Sequence, residues 1–406
     1  MNENAIILGA GASYDAGVPL LGKFMDVMLE MHHTKRFGPI DLSPHDQDLI
    51  AQAAKIHSKV DDYHARVSVD QFNIEEVLSV LSFESISGDI ARKRELSTFT
   101  KAIARTVEIT CKVKHDGTLN TVQSSGDDSY RRFWLELLRY YKYRLIEIPT
   151  IISFNYDLVL ERALFQTIIG FTYPDLTPGL APGFYIDYCG DQMGTIGYSF
   201  KRASFNLGRD HGTVLEKVEI DRHNPPSDFI RIPILKLHGS LNFPKKGSKE
   251  PLNPVDALAD PQIIPPIFNK TEATFASPIW KEALRALRGC RNLLVCGYSL
   301  PVTDTYMQYF LKAALGPNQR LNKVFVYDPI LYSAAGESLM DRYSRCLSPQ
   351  FRPRIIFRPP GDRGTFKDMV STFAETLDGM LPPPTSENRL QAQDRLRRAR
   401  EARQKN

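Results

Sequence analysis

Cysteine is scarce in this 406-residue chain and is badly placed for either of its usual structural uses. Cys111, Cys189, Cys290, Cys296 and Cys346 are odd in number and include no Cys-x-x-Cys pair. That argues against a disulfide framework and against structural zinc or another metal centre, and for a reducing cytoplasm. Long apolar runs are missing too. No stretch approaches the roughly 20 residues a membrane span needs, and the opening residues lack the basic and apolar segments of a secretion signal, so neither export nor membrane insertion is expected. Charge of one sign hardly dominates, with 51 Lys and Arg against 47 Asp and Glu leaving +4. The tail accounts for that excess, because residues 389–406 hold seven Lys/Arg and two acids. A solvated basic helix and a contact for a partner protein or nucleic acid are both open readings of it. The remainder, with 42% hydrophobic and 24% charged residues overall, has the balance of a globular chain able to bury a large core.

Short apolar runs bounded by turn residues are what the sequence does have. Ala5-Ile6-Ile7-Leu8 leads into Gly9-Ala10-Gly11 and then a helix expected from Tyr14 to about Met31. Further buried parallel strands are predicted at residues 150–154, 232–237, 293–296 and 323–327, with helices following at 158–167 and 304–315, and another at 365–377 after Ile355-Ile356. This alternation predicts an α/β fold, a Rossmann-like doubly wound parallel sheet with an inserted helical subdomain. The core is assigned to residues 1–35 and 146–380, and the helical subdomain to 36–145, with helices near 71–83, 89–111 and 130–145 and a turn-rich stretch at 115–129. Residues 171–228, rich in Gly, Pro, Tyr and Asp, read as a second insertion or β-containing flap within the core. Residues 381–406 are the basic tail.

Gly9-Ala10-Gly11-Ala12-Ser13 lies where a strand turns toward a helix, the place where glycine lets a backbone approach a pyrophosphate. Tyr14 stands where a dinucleotide fingerprint has its third glycine, so a turn without ligand remains open for the segment alone. Asn155 and Asp157 after a strand also suit a helix cap, His238 before Gly239 a hydrogen-bonded core histidine, and Gly297 and Ser299 a turn. Their common position at the C-terminal ends of predicted strands favours a ligand site along that edge.

Gly9 to Ser13 continuing to Gly17-Val18-Pro19 resembles the opening motif of the sirtuin family. Ser153-Phe154-Asn155-Tyr156-Asp157, Lys236-Leu237-His238-Gly239 and Gly297-Tyr298-Ser299-Leu300 are similar to that family's Thr-x-Asn-x-Asp, His-Gly and Gly-Thr-Ser-Leu segments, in the same order. The resemblance implies that NAD is bound as a substrate. Gly9, Ala10, Gly11, Ala12, Ser13, Gly17, Pro19, Gly297 and Ser299 would then line the dinucleotide, and Asp328 would reach an adenine-side hydroxyl or, on the residues alone, cap a turn. It also implies that Asn155 contacts ribose and water, that His238 is the base, and that Asp157 supports the pocket. Imidazole suits that role because its reference pKa, about 6.5, keeps it mostly neutral yet able to take a proton.

Departures from the family choose the reaction. Deacylating sirtuins carry two Cys-x-x-Cys pairs after His-Gly, whereas residues 244–289 hold no cysteine, so no zinc is expected. Leu20-Leu21-Gly22 stands where Asp-Phe-Arg is usual, and Phe154 where Gln is usual. The chain looks more like the zinc-less sirtuin-like domains of bacterial antiphage defence proteins. That resemblance implies an NAD glycohydrolase releasing nicotinamide and ADP-ribose, a homo-oligomer, and a DNA-translocating ATPase as a partner. A module that senses NAD or ADP-ribose without turnover, and an NAD-dependent deacylase or ADP-ribosyltransferase, are the alternatives.

Overall fold

Among the described residues nine strands form one sheet. The computed structural model describes residues 4–62, 69–70, 72–115, 122–124, 129–144, 147–170, 183–189, 195–204, 211–221, 224–227, 229–245, 248, 252–264, 277–302, 304–357 and 363–371. The basic tail, most of the turn-rich stretch at 115–129 and parts of 171–228 lie outside the described residues. Strand β1 (Asn4–Leu8) is followed by a short 3-10 turn (Ala10–Ser13) and helix α1 (Leu21–Thr34). Next come a small hairpin of β2 (Arg36–Phe37) and β3 (Ile40–Asp41), then α2 (Pro44–Asp61), α3 (Ile74–Ile86) and α4 (Ile90–Thr110). A second hairpin, β4 (Val113–His115) and β5 (Val122–Ser124), leads to α5 (Ser129–Arg144), β6 (Thr150–Ser153) and α6 (Val159–Gly170). Strands β7 (Gly183–Asp187), β8 (Thr195–Ser204), β9 (His211–Ile220) and β10 (Phe229–Lys236) precede α7 (Ser277–Gly289) and β11 (Asn292–Cys296). The described chain closes with α8 (Thr305–Leu315), β12 (Lys323–Tyr327), α9 (Gly336–Ser344), β13 (Ile355–Phe357) and α10 (Phe366–Ser371).

The sheet order is β13-β12-β11-β1-β6-β10-β7-β8-β9, parallel from β13 through β7 and antiparallel for the last two strands. Every residue of β1, β6 and β11 is buried, so both faces are covered, as a doubly wound α/β sheet requires. The Rossmann-like α/β class expected from the alternation is therefore the observed one. Strand order reverses beside β1, with β6 and β10 on one side and β11, β12 and β13 on the other.

Several local expectations shift. The helix expected from Tyr14 begins instead at Leu21, because Gly17 takes a left-handed φ of 94° and Pro19 disfavours helical geometry in the residue before it. Helix α2 was not anticipated, although Ser43 caps it through the Asp46 amide at 3.1 Å and Pro44 opens it. Helices α2, α3 and α4 pack on one another, with α2 and α3 also on α1, whereas α5, expected with them, packs on α6 and α10. Within 171–228, β7 pairs with β10 and the β8–β9 ladder lies beyond it, so these strands widen the sheet. Among the described residues no helix is long and apolar enough to cross a membrane.

Candidate functional site

One row of residues crosses five strands and sets the position of every motif. Tyr327, Cys296, Leu8, Ser153 and Lys236 are successive partners across β12, β11, β1, β6 and β10. Each motif loop starts at the next residue. Backbone bonds continue the ladder one step further, from Gly297 N to Tyr327 O (2.9 Å), Gly9 N to Cys296 O (3.0 Å), Phe154 N to Leu8 O (3.0 Å) and Leu237 N to Ser153 O (3.0 Å). Asn155 and His238 thus stand two residues beyond the same rung of adjacent parallel strands, which lie about 4.8 Å apart. The site sits where strand order reverses, the usual crevice for ligands in such sheets.

The glycines answer first to each other. A Cβ on Gly9 would lie 2.4 Å from Gly297 O, one on Gly11 2.9 Å from Gly297 Cα, and one on Gly297, whose φ is 63°, 2.2 Å from Ala12 N. Gly11 N donates to Gly297 O at 2.9 Å and Ala12 N to Gly9 O at 2.9 Å. Glycine was expected here for close approach to a pyrophosphate. The approach observed is between two protein loops at the switch point. Ala10 and Gly11 are half-buried and Tyr14 is exposed at the lip of the turn, while Gly9, Ala12 and Ser13 lie buried beneath.

Asn155 is locked from below. Its Nδ2 donates to Gly9 O at 3.0 Å and to Ser13 Oγ at 2.9 Å, and Ser13 Oγ lies 3.2 Å from Tyr130 Oη on α5. A carbonyl can only accept, so the bond to Gly9 fixes which end of the amide is nitrogen and leaves Oδ1 as the atom Asn155 offers. Burial pushes the Tyr130 hydroxyl well above its ordinary pKa, with the Asp157 carboxylate adding to the rise. Asp157 caps α6, its Oδ1 accepting from Val159 N at 3.0 Å, and its Oδ2 is buried with no hydrogen-bond partner among the described residues. His238 is buried with its ring 5.2 Å from that of Phe154, which stacks in turn on Tyr298 at 4.5 Å. The Phe154 ring therefore lies between the histidine and the Gly297 loop.

The segment after His238 folds back onto it. Ile264 N donates to His238 O at 2.7 Å, Ser240 N to Gln262 O at 3.2 Å, and Tyr156 Oη to Ile264 O at 2.8 Å. Gly239, at φ 81°, admits this contact, since a Cβ there would meet Gln262 O at 2.3 Å. Gly17 and Pro19 lie on the loop before α1, which is tied to the end of α4: Lys112 N donates to Ala16 O at 2.8 Å, and a Cβ on Gly17 would lie 2.5 Å from Thr110 O. Ser299 is half-buried, and its carbonyl accepts from Arg342 Nε at 3.1 Å. Among the described residues no group of three or more His, Cys, Asp or Glu is arranged to hold a metal ion.

Asp328 caps the turn after β12, accepting from Ile330 N at 2.9 Å. Burial pushes its carboxyl above the ordinary range, and the Ile330 amide and Arg342, which favour the ionised form, do not reverse this. The folded chain thus holds this proton more tightly than the unfolded one. Asp328's contribution to stability is most favourable below its unfolded pKa of about 4 and falls as pH rises through the higher folded value. Asn keeps the acceptor and carries no charge. Asp328→Asn is expected to leave stability equal or higher at neutral pH and to flatten that share of the pH dependence, as urea titrations at acid and neutral pH will check. A drop in stability at neutral pH alone would contradict it.

Sequence reasoning missed Tyr130, Glu161 and the role of Lys236. No local signal marks Tyr130, which reaches Ser13 across 117 residues. No protein family matches the chain, and no curated protein matches it. Solved structures that it resembles include one described as the structural basis for the mechanism and regulation of Sir2 enzymes, 11% identical over 93% of this chain and 94% of that one, TM-score 0.35. Others are Sir2Tm bound to a propionylated peptide, 10% identical over 93% and 92%, TM-score 0.34, and a Sir2–p53 peptide–NAD+ complex, 11% identical over 93% and 92%, TM-score 0.33. Likeness at that level carries no weight beside the strand order and the shared row, on which the assignment of the fold stands.

Proposed function

We propose that the chain binds NAD along the edge formed by β1, β6, β10 and β11 and cleaves its nicotinamide–ribose bond with water, giving nicotinamide and ADP-ribose. The observation that carries this reading is the pairing of Asn155 and His238 beyond one rung, with the Asn155 amide held by Gly9 and Ser13. The bond to be broken joins an anomeric carbon to a cationic pyridinium nitrogen, so nicotinamide leaves neutral and no general acid is needed. What is needed is a group to orient ribose and water, a base, and exclusion of bulk solvent. Asn155 Oδ1 supplies an acceptor for a hydroxyl or a water, His238 supplies an imidazole, and Phe154 sets an aromatic ring beside that imidazole. Ala10 and Gly11 are the partly open residues of the turn against which the diphosphate would lie, with Asp157 bracing the Asn155 loop as the cap of α6.

In this reading the chain is a cytoplasmic, NAD-depleting effector of the antiphage kind that its motifs resemble, working as a homo-oligomer with an ATPase partner. The exposed Phe83, Ile86 and Ile90 around the α3–α4 turn are apolar surface suited to assembly. The test is to incubate the chain with NAD and quantify nicotinamide and ADP-ribose by chromatography. Equal release of both is expected, with Asn155→Ala and His238→Ala each slowing it by about 10²–10⁴-fold. Undiminished release in both variants would sink the assignment, and NAD bound without release by the unmodified chain would make it a sensor.

A further inference from the structure

Behind Asn155 and His238 lies a buried charged network that the proposed chemistry does not use. Lys236 ends β10 on the shared row and is 1% exposed, and Glu161 on α6 is wholly buried. Lys236 Nζ donates to Asp157 O and lies 3.2 Å from Glu161 Oε1. That same oxygen lies 3.2 Å from Tyr188 Oη at the end of β7, and Asn242 Nδ2 donates to Tyr188 Oη at 3.1 Å and to Asn253 O at 3.0 Å. The network therefore joins the Asn155 loop, α6, the end of β7 and the loop that follows His238.

A buried ion pair is a poor device for stability alone, since an apolar pair of similar volume is often as stable or more so. Burial pushes the Glu161 carboxyl upward, with Lys236 pulling the other way, so the pair is held against a real desolvation penalty. What an ammonium provides and a methyl group does not is a directed bond to a particular carbonyl. Here that carbonyl belongs to Asp157, two residues from Asn155, while Lys236 itself is two residues from His238. One side chain thus runs from the backbone of one loop to the backbone of the other.

We propose that Lys236 is a positioning residue: anchored by Glu161, its ammonium holds the Asp157 carbonyl and so fixes the spacing of Asn155 and His238. The kinetic consequence rests on the NAD-cleaving reading; the structural consequence does not. Lys236→Met alone would strand the buried Glu161 carboxyl and is expected to compromise folding. The informative variant is therefore Lys236→Met with Glu161→Gln in the full chain.

Two measurements test it. Hydrogen exchange read by mass spectrometry should show residues 153–158 and 237–243 losing protection together, by about 10-fold or more, while β1 and β11 keep their original rates. Nicotinamide release from NAD should lose about 10²-fold in kcat with KM changed by no more than about 2-fold, the signature of a displaced but intact pair of groups. Unchanged protection in either loop overturns the proposal, as does a kcat within about 3-fold of the original. Should the unmodified chain release no nicotinamide, the functional assignment fails by itself and the exchange measurement still decides whether Lys236 ties the loops.

Discussion

Gly297→Val is expected to destroy the switch point rather than to perturb it. A Cβ at this position would lie 2.2 Å from Ala12 N, 2.5 Å from Gly11 C and 2.8 Å from Gly11 Cα, all backbone atoms of a turn that is itself pinned to β11. No side-chain rotation relieves such a contact. The φ of 63° adds a second penalty, because a β-branched residue is a genuine outlier in the left-handed region. A loss of about 4–5 kcal/mol or more is expected, at the upper end for a single substitution. Gly22→Ala is the control: it sits in α1 with nothing within 4 Å of its Cβ, and a change within about 1 kcal/mol, in the stabilising direction, is expected. Urea unfolding of both variants separates a steric requirement for glycine from a general intolerance of substitution. Near-native stability of Gly297→Val would show that the two loops are not in contact as described.

Arg162→Met should produce the second large loss. The guanidinium is 2% exposed and holds three segments, with Nε on Val255 O at 2.9 Å, Nη1 on Val113 O at 3.0 Å and Nη2 on Glu108 Oε1 at 2.9 Å. Burial alone would pull its pKa down, and Glu108 outweighs that, so the group sits above its ordinary value. Methionine fills much of the volume but leaves two carbonyls and a carboxylate without their donor, a change expected to cost about 3–5 kcal/mol. Glu108→Gln keeps a neutral acceptor for the same nitrogen, so about 1–2 kcal/mol is expected there. Calorimetric or urea unfolding of the two single variants and the double variant reads the coupling directly. Equal losses in both single variants would mean that the carbonyl contacts contribute little.

The motif loops were legible in the sequence because each follows a short strand with an apolar centre, and that pattern survives without knowledge of partners. Asn155, His238, Gly9 and Gly297 all begin from the row that those strands define. What stayed hidden depends on contacts remote in sequence. Tyr130 looks like any aromatic on an amphipathic helix until α5 is laid on α6, and Lys236 reads as a lysine ending a strand until Glu161 is placed 3.2 Å away. The glycines were recognised, but one demand on them was not: Gly9 and Gly11 neighbour Gly297, nearly 300 residues later in the chain. The start of α1 was misplaced because helical periodicity runs through Tyr14 to Leu20, while the backbone demands of Gly17 and Pro19 prevail locally.

The row across the sheet also has a consequence in time. Leu8 is made well before its partners Ser153 and Cys296, and Asn4 waits 288 residues for Asn292. Helices α2, α3 and α4 make mostly neighbouring contacts and are free to form while β1 is still unpaired. A growing chain that has passed His238 but not yet reached β11 carries Gly9, Asn155 and His238 without the strand that pairs with β1. The catalytic capacity proposed for the protein would therefore be withheld from such fragments and gained only once β11 pairs with β1.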